Sequence, residues 1–103
     1  MIVSGRVNEA QIAAGVQRAL AALAPDVVRI RYSFADDWTG DPSIFFRIVL
    51  TDEAFHRGRL SEMVERVIDT VRNEVDPDQF GLHSYFNYRI PSELAERPEP
   101  SWA

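Results

Sequence analysis

The chain contains no cysteine, which removes disulfides, thiolate metal ligands and thiol nucleophiles together and leaves the fold to be held by packing. It contains no lysine either, so all eleven positive side chains are arginine. Any basic surface is therefore built from planar, fork-shaped donors suited to carboxylates, phosphates and aromatic rings. No apolar run approaches the roughly 18 residues that cross a bilayer, and residues 1–6 lack the apolar stretch of an export signal. A cytoplasmic protein with no membrane segment is the expectation. There is no G-x-S-x-G, no glycine-rich phosphate loop, no H-x-x-x-H spacing, no RNP aromatic motif and no G-x-x-G loop. These absences leave no catalytic residue, cofactor or metal to assign, and an enzyme is not expected.

What is present is an ordinary globular mixture. Hydrophobic residues make up 46% and charged residues 26% of 103 positions, which excludes a disordered or fibrous chain and leaves room for one core. The formal charge of −5 opposes sequence-independent attraction to a phosphate backbone.

The stretch 27–51 organises the rest. Apolar residues alternate with period two in both halves, and the turn Asp37-Trp38-Thr39-Gly40-Asp41-Pro42 lies between them. Val28, Ile30, Tyr32 and Phe34 are expected on one side of the first strand, with Val27, Arg29, Arg31, Ser33 and Ala35 on the other. The second strand sorts into Ile44, Phe46, Ile48 and Leu50 against Phe45, Arg47, Val49 and Thr51, and is apolar enough to be central. The two strands should pair antiparallel.

Helical periodicity flanks this hairpin. Asn8 followed by Gln11 has the form of a helix N-cap with its reciprocal partner, and Ile12, Val16, Ala19, Leu20 and Leu23 form a stripe over residues 8–24, ended by Pro25. Residues 51–58 read as polar and irregular. Leu60, Met63, Val64, Val67, Ile68, Val71 and Val75 then make the clearest helical stripe in the chain. Gly81 opens a third strand over 83–90, with Phe86, Tyr88 and Ile90 inward and His83, Tyr85, Asn87 and Arg89 outward.

The order α-β-β-α-β predicts an α+β two-layer sandwich, an antiparallel-rich sheet of three or four strands with two helices on one face. If residues 1–7 form a strand the layout is ferredoxin-like; with three strands it is closer to KH-type and ribosome-maturation domains. The domain is expected to span residues 1–91, with 92–103 an extended or mobile tail.

Both helices on one face would leave Arg29, Arg31, Phe45, Arg47, His83, Tyr85, Asn87 and Arg89 on the other. Arginines among aromatics suit a protein partner, self-association as a homodimer, or RNA, and the same face could be simply solvated with arginine stems lying over Phe45 and Val49. A protein interface is the leading expectation, and nucleic acid is disfavoured by the net charge. In the turn, Asp36, Asp37 and Asp41 would hydrogen-bond nearby backbone N–H groups, the less favoured alternative being a hard cation held by their oxygens in a spacing that is not an EF-hand's. Trp38 would fold over the core edge or anchor a partner. Trp102, after two prolines, has the form of a docking peptide or an arm.

The segment Asp37-Trp38-Thr39-Gly40-Asp41-Pro42-Ser43-Ile44-Phe45-Phe46-Arg47-Ile48-Val49-Leu50, with Gly81-Leu82-His83-Ser84-Tyr85-Phe86-Asn87, resembles a family of small uncharacterised bacterial proteins. That family is connected with genes beside HEPN-like helical proteins, the arrangement of two-component and toxin-antitoxin-like modules. The resemblance implies a partner-binding role and carries no catalytic residue over.

Overall fold

The computed structural model describes residues 8–56 and 60–102. Whether residues 1–7 form a strand, and the side chains of residues 56–59, lie outside the described residues. The main elements are α1 (Glu9–Leu23), β1 (Val27–Asp36), β2 (Pro42–Leu50), α2 (Asp52–His56), α3 (Leu60–Val75), β3 (His83–Arg89) and α4 (Pro91–Glu96). Short 3-10 turns follow at Pro77–Phe80 and Pro100–Trp102.

Asn8 caps α1 as its side-chain oxygen accepts a hydrogen bond from the Gln11 amide at 3.0 Å. The helix buries Ile12, Gly15, Val16, Ala19 and Leu23. It lies so close to α3 that a Cβ on Gly15 would stand 2.6 Å from the Glu74 carbonyl oxygen. Arg18 crosses the same seam, its Nε 2.9 Å from Glu74 Oε1 and its Nη2 donating to the Glu74 carbonyl at 3.1 Å. Helix α3 turns Met63, Val67, Val71 and Val75 inward, as the stripe predicts. Residues 51–58, expected to be irregular, include the short helix α2, where the Thr51 hydroxyl accepts from the Ala54 amide at 3.0 Å.

The sheet has the order β1-β2-β3, with β2 central as expected and Ile44, Phe46, Ile48 and Leu50 fully buried beneath the helices. The β1-β2 pair is antiparallel and the β2-β3 pair parallel, so the sheet is mixed. A parallel pair needs a long crossover, and α3 supplies it. Phe86 stacks on Phe46 with ring centres 5.0 Å apart, while burial pushes the Tyr88 hydroxyl up to about 12.

Simple alternation fails at the start of β1. Val27 pairs with Leu50 and Arg29 with Val49, so Val28 is an extra residue opposite nothing, a β-bulge. Val27 therefore enters the core and Val28 is 50% exposed, the reverse of simple alternation. Beyond the bulge the expected faces hold. Of residues 92–103, expected as an extended or mobile tail, the described part up to 102 continues α4 (Pro91–Glu96) and carries Trp102, which is buried.

Candidate functional site

The outer sheet face is built in rungs. In register across the three strands lie Ala35, Ser43 and His83; then Ser33, Phe45 and Tyr85; then Arg31, Arg47 and Asn87; then Arg29, Val49 and Arg89. The eight residues expected on this face are thus brought together by strand pairing, and they differ in what they are free to touch.

The turn after β1 projects beyond the first rungs. Asp37 Oδ1 accepts from the Thr39 amide at 2.9 Å, the Thr39 hydroxyl at 2.6 Å and the Asp41 amide at 3.0 Å. Its Oδ2 accepts from the Tyr85 hydroxyl at 2.7 Å, which ties the turn to β3. Only 8% of Asp37 is exposed. Donation by the Thr39 hydroxyl, and next by Tyr85, holds its carboxyl well below the usual carboxylate range. The same bond raises the Tyr85 hydroxyl above its ordinary value, because losing that proton would place two negative charges together. Gly40 adopts φ +88°, the left-handed conformation this turn requires, and its amide donates to the Asp37 carbonyl at 3.0 Å.

Trp38 rides on this braced turn and is 81% exposed, so it does not fold over the core edge. Its ring centre lies 5.2 Å from that of Tyr85, which stacks in turn on Phe45 at 5.1 Å. An aromatic row therefore runs from the tip of the turn onto the sheet.

Beside it, Arg31 and Arg47 stand directly opposite each other on neighbouring strands. Like charges in that position are destabilising. Among the described residues neither forms an ion pair; Arg47 Nη1 donates to Ser33 Oγ at 3.0 Å, and its Nε is buried without a partner. At the far end, the C-terminal segment lies on the face. Glu99 Oε1 is 2.9 Å from Arg89 Nε, the Arg89 guanidinium sits 4.8 Å from the Trp102 ring centre, and Val49 is 2% exposed.

Asp37, Asp41 and His83 bring one potential metal-ligating atom each within 4.8 Å of one another. Four donors already engage Asp37, and His83 Nε2 lies 3.3 Å from Asp41 Oδ2 in an exposed pair. This donor set is that of a braced turn.

Sequence reasoning placed the outer-face residues but missed Thr39 and the Asp37–Tyr85 bond. The D-x-T spacing carries a signal for the first, since an aspartate commonly accepts from groups two residues on. The second depends on strand register and has no local signal. No protein-family model, curated protein or solved structure matches the chain significantly.

Proposed function

We propose that this chain is a non-catalytic protein-interaction module. The docking surface is the Trp38 end of the outer sheet face, with Trp38, Tyr85 and Phe45 as its apolar anchor and Arg31 and Arg47 as its charged border. The supporting observation is Trp38 itself: a large aromatic left 81% exposed on a turn whose conformation is fixed by a buried carboxylate. A rigid aromatic anchor loses little freedom on binding, and Trp, Tyr and Arg are the residues that dominate interface energetics. The adjacent arginines, neither of which forms an ion pair among the described residues, fit a partner that presents carboxylates. The sequence resemblance, to a family connected with two-component and toxin-antitoxin-like modules, implies a partner-binding role and agrees with this reading.

The test is low-salt purification of the tagged protein from its host, with the co-purifying material identified by mass spectrometry and ultraviolet absorbance ratio. One stoichiometric protein is expected, lost when Trp38→Ala or Arg47→Glu is introduced. Truncating a central aromatic anchor costs about 2 kcal/mol or more, a loss of over tenfold in affinity. Nucleic acid released steeply by salt would overturn this reading and assign Arg29, Arg31, Arg47 and Tyr85 to phosphates and bases. Retention of the same protein by both variants would also overturn it.

A further inference from the structure

The opposite end of the outer face is covered by residues 97–102 of the same chain. Glu99 pairs with Arg89 through a 2.9 Å contact, and Trp102 closes over the same guanidinium at 4.8 Å, so one arginine receives a carboxylate and an aromatic face together. Trp102 is 5% exposed near the end of the chain. A 3-10 turn, in which the Trp102 amide donates to the Glu99 carbonyl at 2.9 Å, sets the spacing between the two groups.

The attachment is narrow. Helix α4, which leads into this segment, has no fully buried residue: Leu94 is half-buried and the Ser92 amide donates to Asp52 Oδ1 at 3.3 Å, and beyond α4 the strap is held at Glu99 and Trp102. Nor does the strap satisfy everything it covers. Arg29 Nε is buried with no hydrogen-bond partner, and a hollow of about 290 Å³ remains between Arg29, Leu94, Pro98, Glu99, Pro100 and Trp102. A buried donor without an acceptor is costly, and that cost weakens the resident segment's hold on the site.

We propose that the Arg89 end of the outer sheet face is a peptide-docking site held closed by the chain's own C-terminal strap. It opens to a partner peptide of the same chemistry, a carboxylate followed three residues later by an indole. The site lies beyond Arg31 and Arg47 from the Trp38 turn, so it stands or falls independently of the interface assigned above.

The experiment uses the full chain carrying Trp102→Ala, which vacates the site, and a fluorescently labelled peptide of residues 97–103 added in trans. Saturable binding is expected, read by fluorescence polarisation and abolished by Arg89→Glu in the protein or by an arginine replacing the glutamate in the peptide. The wild-type chain should bind the peptide roughly tenfold more weakly, because a short tether presents the resident segment at an effective concentration on the order of millimolar. If Trp102→Ala does not fold, Glu99→Arg in the full chain provides the vacancy through the more exposed contact.

Three outcomes would overturn the proposal. One is the absence of saturable binding to a folded vacated chain. Another is Trp102 fluorescence in a Trp38→Phe background that acrylamide quenches as readily as free tryptophan. The third is a wild-type dimer that becomes monomeric on Trp102→Ala, since a second copy's segment would then be the occupant.

Discussion

Asp37 is the residue on which the exposed end of the sheet depends. Its carboxylate gathers two bonds from Thr39, one from the Asp41 amide and one from Tyr85, and so couples the turn bearing Trp38 to the aromatic row on β3. In Asp37→Asn, the amide oxygen can still accept from Thr39 and Asp41, but the amino group cannot accept the Tyr85 proton. The Tyr85 hydroxyl, raised above 10.0 in the wild type, should fall back toward that value in a spectrophotometric tyrosine titration. The acid limb of stability should change with it. Because the folded-state carboxyl lies below its unfolded value near 3.8, its contribution is present in full above that pH and disappears as pH falls through and below it. Acid melts of the variant should lack this component. Identical acid limbs for the two proteins would remove Asp37 from its bracing role.

At the scale of elements, the α1–α3 seam leaves no room for an added methyl at Gly15. Alanine is favoured over glycine in a helix by about 1 kcal/mol, so propensity alone makes Gly15→Ala stabilising. The Glu74 carbonyl oxygen 2.6 Å from the new Cβ is backbone and cannot swing aside, so the helices must separate or shift. Overpacking of this kind costs about 1–3 kcal/mol, and Gly15→Ala should lower stability in urea denaturation by an amount in that range. The bulge at Val28 acts at the same scale. By adding one residue it seats Val27 in the core while keeping Arg29, Arg31 and Ser33 outward.

Across the whole molecule, a chain of net charge −5 places arginines on every strand of one sheet face and leaves two of them opposed. Arg31→Glu would replace that repulsion with a cross-strand attraction to Arg47, and opposite charges in such a pair contribute roughly 0.2–1 kcal/mol. The variant should melt at or above the wild-type temperature while capturing the proposed carboxylate-bearing partner at least tenfold less well. Opposite signs for stability and binding would mark the pair as retained for recognition. A variant that melts lower would show that Arg31 is structural.

Much of this architecture is legible in the residues themselves. Ile12, Val16, Ala19 and Leu23, the stripe from Met63 to Val75, and the alternation of Ile44, Phe46, Ile48 and Leu50 each repeat at the period of the element they form, so local pattern alone identifies helices, strands and the buried face of each. The rung order of the outer face follows from the same alternation once the strands are paired. The direction of β3, the bulge that exchanges Val27 and Val28, the Asp37–Tyr85 bond and the seating of Trp102 over Arg89 do not repeat with any period. Each is a contact between segments far apart in the chain or a one-residue offset within a strand, and its energy comes from where whole elements come to rest against one another.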